Sequence, residues 1–218
     1  MTTPESQSES ALTAIAALRT ATDDLHQGLH EHPLVVGLFA KPSMDGYRAF
    51  LRGLLSFYRS VEPELVQSCR RCGAVRQYAR SVRTERLIAD LTALDVRIDL
   101  FDPGDERVAP PRLGHLGELT GCLYVIKGSA LGGPSVLRRI SGRLPLNNAS
   151  RFFRGDGAAT RRTWAAFQAF CERTCRAERP RRAAIRTARQ TFEQLADCLT
   201  RVQASGSDDS GRFIAGRN

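Results

Sequence analysis

The chain has 218 residues, of which 42% are hydrophobic and 25% are charged, and its formal net charge at pH 7 is +9. This length is sufficient for one substantial hydrophobic core. The longest apolar runs are far shorter than the ~20 residues of a membrane-spanning helix, so we expect no membrane insertion. Residues 1–10 are polar, contain two glutamates and lack basic residues. They do not resemble a secretory signal, and we therefore expect a cytoplasmic protein.

Arginine carries almost all of the positive charge, because Lys41 and Lys127 are the only lysines. A basic surface suits nucleic acid, an anionic ligand or an acidic protein partner. The sequence has no helix-turn-helix, zinc-finger or RNA-binding signature, and its aromatic residues do not alternate with arginines as a base-stacking platform requires. We therefore expect no nucleic-acid partner, and we keep a basic helical protein that binds nucleic acid as an alternative.

The six cysteines are spread over segments with helical periodicity, and without a secretory signal we expect them to be reduced. Two pairs, Cys69 with Cys72 and Cys171 with Cys175, have helical spacing but lack the loop geometry of a zinc site.

Hydrophobic periodicity predicts one all-α domain of about seven helices at residues 11–203, between a disordered lead at 1–10 and a flexible tail at 204–218. No segment shows the period-two alternation of a strand. The predicted helices cover residues 11–31, 43–65, 70–81, 84–94, 113–144, 158–178 and 180–202.

Capping residues and prolines define several of these boundaries. Ser10 is a candidate N-cap of the first helix, which ends before Pro33, and Ser43 starts the second helix. Pro63 predicts a kink or a break within the second helix. Pro180 suits the first turn of the last helix.

The helix predicted at 113–144 contains three glycines within six residues, Gly128, Gly132 and Gly133. Each glycine inside a helix costs about 0.8–1 kcal/mol relative to alanine, so three of them need a structural reason. One explanation is a kink or a close helix crossing, and the other is a flat ligand lying against bare backbone. At helical spacing Tyr124, Gly128 and Gly132 lie on one stripe and Ser129 and Gly133 on the next, which predicts a bare platform edged by two hydroxyls.

His26 lies on a half-apolar face of the first predicted helix. A neutral imidazole is a common metal ligand and suits haem iron, although a histidine in this setting is more often a packed or solvent-facing residue. His30 and His32 follow closely, and with His26 they suggest a transition-metal site, but a histidine cluster at a helix end without a paired cysteine or carboxylate signature is weak evidence for one. His115 stands alone and is expected to be a surface or capping residue.

These features occur together in a known family. The chain resembles haem oxygenase in the pattern L-R-x-x-T-x-x-L-H that ends at His26, and in L-Y-V-x-x-G-S-x-L-G-G at residues 123–133. It is especially similar to the bacterial, biliverdin-forming enzymes often found beside bacteriophytochromes. The resemblance covers about residues 11–200, and its further matching positions are Tyr47, Leu51, Phe57, Tyr58, Glu62, Phe152, Phe153, Trp164 and Phe167.

The resemblance implies that haem (iron protoporphyrin IX), as both substrate and cofactor, lies between the first helix and the glycine-rich helix. It makes His26 the iron ligand, and it makes Gly128, Gly132 and Gly133 the positions where backbone approaches the porphyrin and steers bound O2. Ser129 stands where the vertebrate enzymes have an aspartate. A hydroxyl can hold water near the iron-bound oxygen but cannot act as a carboxylate.

Arginines are the natural partners of the two haem propionates, because the guanidinium group binds a carboxylate in a fork. Arg19 lies two helical turns before His26 on the same face, where the family places a basic residue. Tyr124 is a second candidate donor. Arg161 and Arg162 are further candidates, and the sequence does not choose between them.

The sequence thus predicts an oxidoreductase that cleaves haem to biliverdin, carbon monoxide and Fe²⁺ with O2 and electrons. It has no flavin or nicotinamide fingerprint, so we expect an external electron donor, a ferredoxin or a reductase with an acidic surface. A bacteriophytochrome is a candidate acceptor of the biliverdin. The alternatives are a haem carrier or sensor of the same fold, which Ser129 keeps open, and a metal oxygenase, for which four histidines do not supply the ligand pairs.

Overall fold

Residues 13–80, 82–98 and 109–212 are described by the computed structural model, and they form eight α-helices and no strand. The all-α prediction is confirmed, with one helix more than expected. The helices are α1 (Ala14–Glu31), α2 (Pro33–Ala40), α3 (Met44–Arg71), α4 (Val82–Thr92), α5 (Leu116–Ile140), α6 (Arg151–Arg154), α7 (Ala158–Thr174) and α8 (Glu178–Arg212).

The ends of α1, α3 and α5 have side-chain caps. Ser10 and the lead at 1–10 lie outside the described residues, and within them Thr13 caps α1 by accepting a hydrogen bond from the Ala16 N–H. Ser43 caps α3, as predicted. His115 caps α5 through its Nδ1, which accepts from the Glu118 N–H, so its expected capping role is confirmed.

The structure differs from the prediction at α2, at Pro63 and after the end of α3. The short helix α2 was not predicted, because eight residues give no periodic stripe; it starts with His32 as N-cap and Pro33 as its first residue. The break at Pro63 is wrong: α3 is one continuous helix, and Pro63 lies on its exposed side while the residues before it are buried. The separate helix at 70–81 is also wrong, because Gly73, with a φ of 66°, ends α3 in a left-handed turn.

The last helix is longer than predicted. α8 begins at Glu178 with Pro180 in its first turn, as expected, and its helical backbone continues to Arg212 instead of ending near Val202. Part of the segment predicted as a flexible tail is therefore helical, and residues 213–218 lie outside the described part.

The helix α8 packs against α1, α3 and α5. α5 runs parallel to it, with Gly117 beside Pro180 and Gly121 beside Ala184. α1 is also parallel to α8, since Ala21 contacts Arg189 and His32 contacts Thr200 further along both helices. α3 is antiparallel, with Gly53 against Leu199 and Ser60 bonded to Gln194. The long helix thus serves as a common support for the other three.

Three carboxylates cap the N-termini of helices other than their own. Glu62 of α3 accepts hydrogen bonds from two backbone N–H groups in the first turn of α4. Asp90 of α4 accepts from the first two N–H groups of α6, and Glu172 of α7 accepts from the first two of α1. The first N–H groups of a helix have no acceptor within that helix, and the N-terminus of a helix is electropositive. Each of these carboxylates therefore fixes its own helix to the N-terminus of another.

Candidate functional site

Four glycines of α5 share one face of the helix. Gly117, Gly121, Gly128 and Gly132 follow each other at intervals of four, seven and four residues, close to whole numbers of helical turns. Cβ atoms on the first two would lie 2.7 and 2.1 Å from carbonyl oxygens of α8, whereas a Cβ on Gly128 or Gly132 would meet no atom within 4 Å. The close helix crossing is therefore made by the first pair, and the second pair leaves the backbone uncovered. We call this uncovered part the bare face of α5.

Gly133 lies on a different side of α5. It is buried, and a Cβ there would lie 2.7 Å from the backbone carbonyl oxygen of Phe153 in α6. The expectation that all three glycines of the motif offer open backbone is therefore corrected for Gly133. Its missing side chain lets α6 approach α5.

His26 projects from α1 with its ring partly exposed. Its ring contacts that of Phe192 in α8, with centroids 6.1 Å apart, and that of His30, with centroids 4.8 Å apart. Desolvation by these surroundings, and then the charge of His30, lower the pKa of His26 below its ordinary value. The imidazole is therefore neutral at pH 7, which is the form that ligates a metal.

The register along α8 brings His26 and the bare face to one level. A Cβ on Gly121 would touch Ala184 and Ala188 of α8. Continuing this parallel register by two turns, at the same rise per residue, places Gly128 level with Phe192, the residue that His26 contacts. α1 packs on α8, α7 and α2 and does not pack closely on α5. By this register, α1 and α5 carry His26 and the bare face at matching heights along α8.

Arg189 holds the His26-bearing helix on α8. Its two terminal nitrogens bind the two carboxylate oxygens of Asp24 at 2.8 and 2.9 Å. One of them also donates to the backbone carbonyl oxygen of Ala21 at 2.6 Å. The fork fixes both the position of α1 and its rotation, because it engages a side chain and the backbone of two successive turns.

Ser129 is bonded to a tyrosine of α3. Its hydroxyl donates to the Ile126 carbonyl oxygen at 3.0 Å and lies 2.9 Å from the hydroxyl of Tyr58, which then acts as the donor to Ser129. Burial, first of all, raises the pKa of Tyr58, so its hydroxyl keeps its proton. Tyr58 is 1% exposed, and the sequence did not indicate its contact with Ser129. The sequence signal that could have pointed to this contact is the position of Tyr58 in the part of α3 that matches the family pattern.

The candidate propionate ligands lie on three helices. Arg19 of α1 and the pair Arg161 and Arg162 in the first turn of α7 are exposed. Tyr124 of α5 is half-buried and its ring lies 6.2 Å from that of Trp164. α7 packs antiparallel to α5, so its first turn, with both arginines, lies toward the end of α5 that carries the bare face.

The residues present fit haem. One neutral imidazole is free to ligate iron, a strip of helix without side chains suits a flat macrocycle, and exposed guanidinium groups suit its carboxylates. Two surface clefts lie elsewhere, around Pro110 and Pro111. No helix within the described ranges is long and apolar enough to cross a membrane.

The chain shares a sequence pattern and a fold with known proteins. The sequence model of the family described as Heme oxygenase matches residues 12–201. Among solved structures, the chain is similar to the NO- and CO-bound heme oxygenase from Neisseria meningitidis, with a TM-score of 0.68 and 18% sequence identity, over 88% of this chain and 92% of the other. At this identity the structural likeness concerns the fold. No curated protein sequence matches.

Proposed function

Because the chain belongs to the haem oxygenase family, we propose that it binds haem between α1 and α5 and cleaves it to biliverdin, carbon monoxide and Fe²⁺. The observation that carries this proposal is the bare face at Gly128 and Gly132, which the register along α8 places level with His26 of α1. Each of these glycines costs the helix about 0.8–1 kcal/mol, and a Cβ at either position would meet no protein atom within 4 Å. A ligand that needs close approach to the backbone accounts for both.

His26 would hold the iron through its neutral imidazole, and the Asp24–Arg189 fork would keep its helix in place. Bound haem supplies the iron that activates O2 and the porphyrin that is oxidised. Gly128 and Gly132 leave room for the macrocycle against the backbone. Arg19, Arg161, Arg162 and Tyr124 would orient it by binding its propionates.

The Tyr58–Ser129 pair would handle protons at this site. Ser129 is exposed at the edge of the bare face, and its hydroxyl is fixed between the Ile126 carbonyl oxygen and Tyr58. From there it can hold a water molecule on the same side as the ligand. Tyr58 keeps its proton and donates a hydrogen bond to this hydroxyl, so the Ser129 oxygen keeps a lone pair that can accept a hydrogen bond from the water and orient it, at a position that carries no carboxylate.

We further propose that the enzyme works in the cytoplasm with an external electron donor. The net charge of +9 favours an acidic ferredoxin or reductase, because complementary charge speeds encounter. The resemblance to bacterial, biliverdin-producing enzymes supports a bacteriophytochrome as the acceptor of the product.

The test is a hemin titration of the wild type, His26→Ala and His115→Asn, followed by turnover with ascorbate or a ferredoxin system. His115→Asn is the matched control, because asparagine keeps the N-cap of α5. We expect the wild type and the control to give the same Soret band and biliverdin absorption, and His26→Ala to lose the ferric spectrum of the ligated haem.

Each other result has a definite meaning. An unchanged ferric spectrum in His26→Ala would show that another residue ligates the iron. A Soret band in the wild type without any biliverdin would support the carrier or sensor that Ser129 keeps open. Steeply salt-dependent binding of DNA or RNA without a Soret shift would support the nucleic-acid alternative.

A further inference from the structure

The three histidines near the end of α1 differ in their hydrogen bonds. His32 is engaged: its Nδ1 accepts from the Leu34 N–H at 3.3 Å, and its Nε2 lies 3.2 Å from the Thr200 hydroxyl. His26 and His30 are one turn apart on α1, and within the described part of the chain neither ring is hydrogen-bonded. Both side chains are exposed to solvent on the same face of the helix. The pair is therefore available to a ligand and His32 is not.

The separation of the two rings matches that of two imidazoles on one metal ion. A metal–nitrogen bond of about 2.0–2.1 Å places a ring centroid about 3.2 Å from the metal. Two such rings at the angles of tetrahedral or square coordination have centroids about 4.5–5.2 Å apart. The centroids of His26 and His30 are 4.8 Å apart, with the ring planes at 80°. The helix thus presents the two rings at the required separation before any metal is bound.

We propose that His26 and His30 form a two-histidine site for a divalent transition cation in the haem-free protein. Imidazole ligands select Cu²⁺, then Ni²⁺ and Zn²⁺, and discriminate against Mg²⁺ and Ca²⁺. Water completes the coordination shell, since no group of three or more metal-ligating side chains occurs among the described residues. Asp23, one turn before His26, adds a negative charge beside the site.

The site has a consequence for haem loading, which rests on the proposed function. His26 cannot ligate a divalent cation and haem iron at the same time, so the cation competes with haem. By mass action, a free cation concentration ten times its own dissociation constant lowers the apparent affinity for haem about elevenfold. Haem would then load more slowly or less completely where such cations are in excess.

The first experiment uses the haem-free protein alone. Cu²⁺ is titrated into the wild type, His30→Ala and His115→Asn, and the electron paramagnetic resonance spectrum is recorded. We expect hyperfine coupling to two imidazole nitrogens in the wild type and in His115→Asn. In His30→Ala, which keeps His26, we expect the coupling to the second nitrogen to be lost. Equal Cu²⁺ affinity and equal coupling in His30→Ala would overturn the proposal.

The second experiment measures competition with redox-inert Zn²⁺. Zn²⁺ at ten times its measured dissociation constant should weaken hemin binding about elevenfold in the wild type and leave it unchanged in His30→Ala, which keeps His26. Zn²⁺ held by cysteine thiols would act equally on both proteins, and an equal effect would contradict the site. If hemin fails to bind in the absence of an added divalent cation, the proposed function fails. The Cu²⁺ result on the haem-free protein still decides the metal site.

Discussion

Replacing Gly128 and Gly132 by alanine tests the central reasoning, because the expected effects on folding and on haem binding have opposite signs. Both residues lie within a helix, and a Cβ at either position meets no atom within 4 Å. Each substitution gains the difference in helix propensity, about 0.8–1 kcal/mol, and the double variant about 1.6–2 kcal/mol. For a chain of this size, this raises the melting temperature by roughly 3–8 °C.

The assay has two parts, thermal or urea unfolding of the haem-free protein and a hemin titration. The double variant should be more stable than the wild type but bind hemin more weakly, because two methyl groups then stand on the face offered to the ring. Gly37→Ala is the matched control. Gly37 is an exposed glycine inside α2 with no atom within 4 Å of its Cβ position, so this variant should gain stability and keep its hemin affinity.

Either part can refute the reasoning. A haem-free double variant that is less stable than the wild type would mean that the face is covered in solution. A double variant that is more stable yet binds hemin and turns it over like the wild type would show that haem lies elsewhere. Gly133→Ala should behave oppositely and destabilise the haem-free protein, since its Cβ would lie 2.7 Å from the Phe153 carbonyl oxygen.

Four further predictions follow from particular contacts. Gly121→Ala should destabilise the protein by at least about 3 kcal/mol in urea unfolding, because a Cβ there would overlap the backbone of α8. Glu62→Gln should cost about 1.5–3 kcal/mol, since the buried carboxylate caps α4, while the exposed control Glu85→Gln should stay within about 0.5 kcal/mol of the wild type. Desolvation lowers the pKa of His32 in the folded protein below its unfolded value of 6.5. Because the unfolded chain therefore binds a proton more readily, the free energy of unfolding should fall as the pH drops below 6.5. The variant His32→Asn keeps the cap of α2, and its free energy of unfolding, measured against pH, should fall less over the same range. Tyr58→Phe removes the hydroxyl bonded to Ser129 and should lower the rate of biliverdin formation several-fold while hemin affinity stays the same, and an unchanged rate would exclude this pair from proton handling.

The sequence was sufficient for the features that depend on local pattern. Periodic apolar stripes predicted α1, α4, α5 and α7, and the capping residues Ser43 and His115 were identified correctly. The pattern failed where tertiary packing outweighs local preference. α3 continues through Pro63 because buried residues on both sides of it hold the helix in the core, and only an exposed position loses a hydrogen bond.

Contacts between distant segments were beyond the reach of sequence reasoning. Tyr58 and Ser129 are 71 residues apart, and only the packing of α3 beside α5 brings their hydroxyls to 2.9 Å. The caps that Glu62 and Asp90 provide for other helices leave no local signature, since each residue lies far before the helix that it caps in the sequence. Gly133 could not be separated from Gly132 either, because the carbonyl oxygen that fills its place belongs to α6.

The glycines of α5 show how one helical face serves two purposes. Gly117 and Gly121 lie against α8, where the missing side chains let two backbones meet. Gly128 and Gly132 continue the same face two turns further on, where a Cβ would meet no protein atom within 4 Å. A methyl group therefore pushes two helices apart in the first pair and meets only a bound ligand in the second. The free-energy effect of a glycine-to-alanine change must then reverse its sign between Gly121 and Gly128, although the change in helix propensity is the same at both positions.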